Sequence, residues 1–308
     1  MVFQLTSEQK AQFEQDGYLI LPSFFTRERA SRLLSRSHRL LSEFSLEDHP
    51  MTKFVGSGEA QTGKAKHVGD SYFLESGDKV RFFFEPAAFG PDGTLNRPKE
   101  KSVNKIGHGL ALLDEEFRDF TFSEDLKQLA RDLGFHRDPR VLQSMIICKN
   151  AQVGGKVSSH DDSTFLYTQP LSAMGFWFAL EDCTTSNGCL SFVPGSHKVN
   201  TINKRLVRVP EERGGGTEIV PIEGVESCGI DWDQDPSVEW KTAECQTGDL
   251  VLIHGSVIHR SERNLSDKSR FIYTFHCIEG QGAEWDEHNW LQTPGKDFPS
   301  LLTTSATV

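Results

Sequence analysis

The sequence lacks the features of a membrane or secreted protein. No run approaches the roughly 18 consecutive apolar residues that a membrane-spanning helix needs. The N-terminal stretch MVFQLTSEQK turns polar at once, which argues against a secretory signal, and the C-terminal TSATV is not the peroxisomal tripeptide. We therefore expect a cytoplasmic protein that does not bind membranes.

Paired cysteines are also absent. The chain has six cysteines but no CxxC pair, so a structural zinc-thiolate site is not expected. Cys148 and Cys277 lie in apolar runs, as buried and reduced thiols do. Together with the missing secretory signal, this pattern predicts a protein without disulfides.

The sequence also has no excess of positive charge. The chain carries 33 Lys and Arg against 44 Asp and Glu, which gives a formal net charge of −11. No broad positive field would attract nucleic acid or an anionic membrane. A small molecule is the expected partner, and no pattern in the sequence indicates a homo-oligomer.

The N-terminal part of the chain shows mainly helical patterns. A capped polar segment from Ser7 to Gln15 predicts a short helix, and residues 18–22 look like a strand. Thr26 can cap a second helix, whose apolar residues recur at helical spacing. Residues 79–85 are typical of a strand, and residues 111–133 carry a further helical pattern.

After Arg140 the pattern changes to short apolar runs that are bounded mostly by Gly, Asn, Asp or Pro. These runs lie at 141–149, 174–180, 189–193, 249–254 and 270–278. Their spacing predicts a jelly roll rather than alternating strand and helix units. Residues 203–247 are predicted as an insertion between strands, which we expect to cover the mouth of a pocket together with residues 45–75.

The expected architecture is therefore one α+β domain over residues 1–308. Residues 1–140 would form a mainly helical layer with a few strands. Residues 141–308 would form a double-stranded β-helix core, of the jelly-roll or cupin-like type, with N-terminal and flanking helices packed on it.

A candidate metal site begins with one of two His-x-Asp pairs. His136-Arg137-Asp138 stands just before Pro139 and is interpreted as a surface turn. His160-Asp161-Asp162 follows Gly154-Gly155 and precedes TFLYT, so it is predicted at a strand end. Side chains from a rigid sheet can converge there, which favours the second pair as a ligand pair.

A third ligand has to come from a late strand that returns beside the early ones. The segment GDLVLIHGSVIH offers His254 and His259. His254 is interpreted as a packed strand histidine, and His259 as the ligand. Two histidines and one carboxylate leave positions open on the metal, as in non-haem iron(II) oxygenases. Arg270 leads a later strand, and its planar fork suits a carboxylate.

Several motifs together carry a family resemblance. They are His160-x-Asp162, Asn187 to His197, Gly248 to Leu250, His259 and Arg270, with Ser76 to Glu85, Ser102 to His108 and Asn289 to Leu291. In this combination the chain resembles the phytanoyl-CoA dioxygenase family, and within it the phytanoyl-CoA dioxygenase domain-containing branch. The resemblance spans nearly the whole chain.

The resemblance implies an enzyme that uses Fe(II), 2-oxoglutarate and O2, with ascorbate as a possible addition in vitro. The implied iron ligands and catalytic residues are His160, Asp162 and His259. The implied 2-oxoglutarate residues are Arg270 and Ser261 at the distal carboxylate, and Lys105, Met145 and Trp177 along the pocket. The implied fold is the double-stranded β-helix.

The implied reaction oxidises a C–H bond of a small organic substrate and releases succinate and CO2. Related halogenases have a small residue in place of the metal carboxylate, so the presence of Asp162 favours hydroxylation or desaturation. Two alternatives stay open at this point. One is a catalytically silent sensor that binds metal and 2-oxoglutarate, and the other is a metal-dependent cupin enzyme that does not use 2-oxoglutarate.

The substrate is also open. The basic residues Arg97, Lys99 and Lys101 could bind the phosphates of coenzyme A or form a solvated loop. A set of aromatic residues could line an apolar substrate pocket or belong to the core. This set comprises Phe82, Phe83, Phe84, Phe165 and Tyr167.

Overall fold

The computed structural model describes residues 3–55, 69–292 and 297–303. Within these ranges the chain forms six α-helices. They are α1 (Ser7–Asp16), α2 (Arg27–Glu43), α3 (Ser71–Leu74), α4 (Leu110–Leu113), α5 (Glu115–Thr121) and α6 (Glu124–Leu133).

Fifteen strands account for the rest of the regular structure in the same ranges, apart from short 3-10 turns. They are β1 (Tyr18–Leu21), β2 (Val80–Phe84), β3 (Val103–His108), β4 (Pro139–Lys149), β5 (Val157–His160), β6 (Thr168–Gln169), β7 (Met174–Ala179), β8 (Leu190–Phe192), β9 (Lys204–Arg208), β10 (Thr217–Pro221), β11 (Lys241–Ala243), β12 (Leu250–His254), β13 (His259–Ser261), β14 (Arg270–Glu279) and β15 (Glu284–Trp285).

The first two helices begin at the predicted caps. The Thr6 side chain accepts a hydrogen bond from the Gln9 backbone N–H, and Gln9 closes a capping box. Thr26 caps α2 in the same way through the backbone N–H of Arg29. Gly17 ends α1 with a φ of +78°, a conformation that glycine adopts without strain.

Two antiparallel sheets form the centre of the molecule. The larger has the strand order β1-β12-β7-β14-β4-β3-β2, and the smaller has the order β11-β8-β13-β5. The sheets pack face to face, because Trp177, Val251 and Ile272 of the larger share one buried cluster with Leu190 and Phe192 of the smaller. The outer face of the larger sheet packs on the helices.

Alternation along β7 and β14 separates these two faces. Phe176 and Phe178 on β7 belong to the helix-side core, together with Tyr273 on β14. The Tyr273 hydroxyl lies 2.6 Å from the Thr121 hydroxyl at the end of α5. The opposite face of both strands therefore points between the sheets, where small and polar residues leave room for a site.

The predicted mixture of helices and antiparallel sheets is confirmed. The strands predicted at 18–22 and 79–85 correspond to β1 and β2, and both join the larger sheet together with β3, for which no strand was predicted. The segment 203–247 also differs from an open insertion, because it contains the hairpin β9–β10 and strand β11. Of the predicted cover at 45–75, residues 56–68 lie outside the described ranges.

Two further sequence expectations concern cysteines and membranes. All six cysteines are free, and five of them are buried. Among the described residues, no helix has the length and apolar character needed to cross a membrane.

Candidate metal centre

Three predicted ligands come together between the sheets. The ligand atoms of His160, Asp162 and His259 all lie within 4.8 Å of one another. His160 ends β5 and pairs in register with His259, which begins β13. Asp162 Oδ1 faces both imidazoles, at 3.9 Å from His160 Nε2 and 3.8 Å from His259 Nε2. This geometry can hold one metal ion.

The loop that carries Asp162 is fixed by its own hydrogen bonds. The Asp161 carboxylate accepts the backbone N–H of Thr164 at 2.8 Å. The backbone N–H of Ser163 donates to the Gly255 carbonyl at 2.8 Å, and so ties the loop to the turn between β12 and β13. These bonds place Asp162 beside a histidine that is about a hundred residues away in the chain.

Both histidines present the same nitrogen to the site. His160 Nδ1 lies 2.9 Å from the Ser158 carbonyl oxygen, and His259 Nδ1 lies 3.1 Å from that of Val257. A carbonyl oxygen only accepts, so each Nδ1 carries a hydrogen, and in the neutral imidazole the lone pair is then on Nε2. This is the tautomer that a metal ligand needs.

His276 is a site residue that the sequence reasoning missed. Its Nε2 lies 3.3 Å from Asp162 Oδ2, a buried oxygen that has no hydrogen bond of regular geometry. Its Nδ1 lies 3.4 Å from the Gln143 side-chain nitrogen. Its position on the Arg270 face of β14 was the signal available in the sequence.

Electrostatics favour the protonation states that a metal requires. Burial raises the pKa of the Asp162 carboxyl, but the nearby His259, His276 and His160 outweigh it and hold that pKa well below its usual range. Burial, assisted by His259, lowers the pKa of His160 to about 4. At neutral pH the cluster therefore offers a carboxylate and a neutral His160 imidazole.

Arg270 lies on the same face of β14 as His276, at the opposite end of the strand. It is 1% exposed, and its Nε and Nη1 atoms have no hydrogen-bond partner. Its guanidinium carbon lies 5.5 Å from the centre of the Trp177 ring. Burial lowers the pKa of this guanidinium, yet arginine stays charged at neutral pH. A buried cation with unused hydrogen-bond donors is stabilised when an anion binds beside it.

The other residues predicted for the 2-oxoglutarate pocket lie between the metal cluster and Arg270, or beside Arg270. On β14, Thr274 is in register with Met145 on β4 and Trp177 on β7. Lys105 Nζ lies 3.9 Å from Met145 Sδ, and burial lowers the pKa of Lys105 to about 7 against the opposing effect of Glu85.

Ser261 lies at the Arg270 end. Its hydroxyl accepts a hydrogen bond from Lys149, a residue that the sequence analysis did not single out.

Two histidines predicted to lie outside the site do so. His254 packs against the rings of Phe13 and Phe135, and its Nδ1 accepts the backbone N–H of Ser256. His136 Nε2 lies 2.6 Å from the Ser172 carbonyl oxygen, in the segment between α6 and β4. Neither histidine joins the metal cluster.

The aromatic and basic residues considered for the substrate also differ in position: some belong to the core or to structural contacts, and others lie near the metal cluster. Phe83 and Phe84 are completely buried and belong to the core. Phe165 lies nearer the metal cluster, with its ring centre 6.0 Å from that of His160. Lys99 donates to the carbonyl oxygens of Ser42 and Phe44 at the end of α2, which uses much of its donor capacity.

Comparison with known proteins agrees with this geometry. The sequence profile of the family described as phytanoyl-CoA dioxygenase (PhyH) matches residues 13–272. The chain is 42% identical to phytanoyl-CoA dioxygenase domain-containing protein 1 of Rattus norvegicus over 299 residues, which cover 96% of this chain and 98% of the relative.

Solved structures share the fold at low sequence identity. The non-haem alpha-ketoglutarate-dependent carbocyclase SnoK from nogalamycin biosynthesis matches with a TM-score of 0.61 at 20% identity, over 96% of this chain and 94% of that one. The epimerase SnoN, solved with Fe3+, alpha-ketoglutarate and nogalamycin RO, matches with a TM-score of 0.58 at 17% identity, over 96% and 97%. By profile and by sequence identity, the chain belongs to the phytanoyl-CoA dioxygenase family.

Proposed function

We propose that the protein is an Fe(II)- and 2-oxoglutarate-dependent dioxygenase that oxidises a C–H bond of a small organic substrate. The observation that carries the proposal is a buried guanidinium with two unpaired nitrogens on the inner face of the larger sheet, together with a His-Asp-His cluster on the smaller sheet that faces it. The family membership and the fold shared with iron and 2-oxoglutarate proteins support it. A double-stranded β-helix topology, a single domain and a cytoplasmic location complete the proposal.

The residues present fit both groups. Two imidazole nitrogens and one carboxylate oxygen are the donor set that iron(II) oxygenases use, and they leave coordination positions open. The unused Nε and Nη1 of Arg270 are buried donors that lack an acceptor, and a carboxylate beside this guanidinium would supply one. In this assignment His160, Asp162 and His259 hold the metal, and Arg270 holds the distal carboxylate.

The chain supplies binding, orientation and exclusion of water. When bound, iron(II) activates dioxygen with electrons from 2-oxoglutarate, which leaves as succinate and CO2. Lys105, Met145, Trp177 and Ser261 would line the space between the metal and Arg270. Buried apolar neighbours of Trp177 keep this space dry, which strengthens the pairing of charges within it.

His276 would keep Asp162 in one orientation. It stands beside Oδ2, while Oδ1 faces the two ligand histidines. A single oxygen would then be directed to the metal, so that the carboxylate occupies one position and leaves the others free. The intact carboxylate favours hydroxylation or desaturation of the substrate.

Turnover in defined mixtures tests the proposal. Purified protein would be assayed for succinate with Fe(II), ascorbate, O2 and 2-oxoglutarate, alone and against a panel of small metabolites. We expect succinate only when iron and 2-oxoglutarate are both present, and more of it with the true substrate. Binding of 2-oxoglutarate without succinate under any condition would identify a silent sensor. Substrate oxidation without 2-oxoglutarate would identify another cupin enzyme.

A further inference from the structure

Lys149 is a buried lysine to which the proposed chemistry gives no task. It is the last residue of β4 and is 2% exposed. Across the sheet it pairs in register with Arg270, the first residue of β14. Two basic side chains from neighbouring strands are therefore buried at the same end of the site.

The contacts of Lys149 lead to Ser261. Its Nζ donates to the Ser261 hydroxyl at 2.7 Å and to the backbone carbonyl of Glu262. Two glycines leave space for its path. A Cβ on Gly154 would collide with the Lys149 stem, and a Cβ on Gly188 would lie 3.0 Å from Nζ. The two glycines therefore allow the Lys149 side chain to extend to the Ser261 hydroxyl.

The charge of Lys149 is poorly compensated within the protein. Burial, and next the charge of Arg270, lower the pKa of Lys149 to about 6, whereas Glu85 and Glu262 act in the opposite direction. Among the described residues no carboxylate is within ion-pair distance of Lys149 Nζ. The Glu262 carboxylate pairs instead with Lys156, at 3.1 Å. Glu85 is occupied by Asn104 and the Gly155 N–H.

Two buried cations side by side are costly unless an anion joins them, so Lys149 favours its neutral form beside Arg270 until an anion binds. We infer that Lys149 is a positioning residue for the distal carboxylate of the oxo acid: it orients the Ser261 hydroxyl, and it adds positive charge beside Arg270 once that carboxylate is bound. The inference rests on the proposed function. A bound carboxylate would take its hydrogen bonds from Arg270 and Ser261, and Lys149 would hold Ser261 in the donating orientation.

A purely structural role would have a different signature. Lys149 could serve only to anchor the chain at Glu262, and its loss would then weaken every ligand of the site alike. A role at the distal carboxylate affects only acids that carry this group. Comparison of 2-oxoglutarate with 2-oxopentanoate, which has the same carbon chain without the second carboxylate, separates the two roles.

The experiment measures the affinity of both acids for manganese-loaded protein, which binds without turnover. Wild type is compared with Lys149→Met, and Lys156→Met serves as the control, because it removes an exposed lysine that also contacts Glu262. For Lys149→Met we expect 2-oxoglutarate affinity to fall about tenfold to a hundredfold, the range for hydrogen bonds to charged groups. Affinities for 2-oxopentanoate and for manganese should change less than about twofold, and the control should match wild type.

Several results would overturn the inference. Equal losses for both acids, or no loss, would make Lys149 structural. Thermal unfolding is recorded for each variant, and if Lys149→Met does not fold, Ser261→Ala decides. This variant should lose about three- to tenfold of the preference for 2-oxoglutarate, and an unchanged preference would refute the inference. A wild type that does not bind 2-oxoglutarate at all would refute the proposed function itself.

Discussion

The two ends of the space between the sheets differ in charge. At the metal end, one carboxylate stands among three histidines, and the pKa of Asp162 is held low. At the other end, Arg270 and Lys149 stand together with no carboxylate in ion-pair distance among the described residues. The metal end therefore favours the binding of a cation, and the Arg270 end favours the binding of an anion.

This difference explains why neither end is sufficient to define the function. A His-Asp-His cluster alone is compatible with many metal sites, and a buried arginine alone is compatible with many anions. In the proposed function their placement between the same two sheets, with Trp177 and Met145 in the row between them, would suit a ligand that has a metal-binding end and a distant carboxylate. A short 2-oxo diacid has this shape.

The largest expected effect is at the metal end. Replacement of His160 or Asp162 by alanine should abolish turnover, because each change removes one of three protein ligands. His136→Ala is the matched control, since it alters the other His-x-Asp pair and should leave activity near normal. Succinate release and metal content are measured for all three variants. Normal activity in Asp162→Ala would exclude this cluster as the metal centre.

The next largest effect is at the anion end. Arg270→Ala should cost about 2–5 kcal/mol of 2-oxoglutarate affinity, because it leaves a buried carboxylate unpaired. This corresponds to a rise in KM of roughly 30-fold to several thousand-fold. Arg270→Lys should rescue only part, because it keeps the charge but loses the fork. The measurement is a 2-oxoglutarate titration of both variants with iron content checked in parallel, and an unchanged KM in Arg270→Ala would contradict the assignment.

A smaller effect is expected when the support of Asp162 is removed. His276→Phe should weaken metal binding by about tenfold to a hundredfold, the range for the loss of partners that orient metal ligands. His254→Phe is the control, because His254 packs on aromatic rings away from Asp162. Metal affinity is measured by competition with a chelator. Equal affinities in the two variants would remove His276 from the site.

The smallest effect concerns stability and pH. The folded-state pKa of Lys149 is about 6, below its ordinary value of 10.5, so between these values the unfolded chain binds a proton that the folded chain does not. Stability should therefore rise with pH relative to Lys149→Met, by at most about 1.4 kcal/mol per unit between pH 7 and 8. Denaturant unfolding at both pH values checks this. A difference that does not change with pH would mean that Lys149 stays protonated in the fold.

The sequence predicted the long elements, and the residues proposed as ligands lie at the ends of β5 and β13 or in the loop after β5. Strands β4, β7, β12 and β14 are apolar runs with clear boundaries, and α1 and α2 start at cap residues. The shortest strands could not be predicted, because β6 and β15 have two residues each and show no periodic pattern. The hairpin β9–β10 lies within the predicted insertion, because its strands are only partly buried and a glycine run between them gives no strand pattern.

The missed site residues depend on pairing across the sheet. Lys149 ends an apolar run, where a lysine ordinarily reaches solvent, and only the register of β4 with β14 places it opposite Arg270. His276 shares a face with Arg270 by simple alternation, but its contact with Asp162 requires the loop after β5 to lie over β14. Contacts of this kind come from tertiary structure, which local patterns do not specify.

The central claim is that one molecule bridges the two ends, and its most direct test is a calorimetric titration of 2-oxoglutarate into wild-type protein with and without Mn(II). The account predicts that the metal strengthens 2-oxoglutarate binding at least tenfold, because the oxo-acid end needs the metal while Arg270 holds the distal carboxylate. Affinity that is the same in the presence and absence of the metal would contradict it.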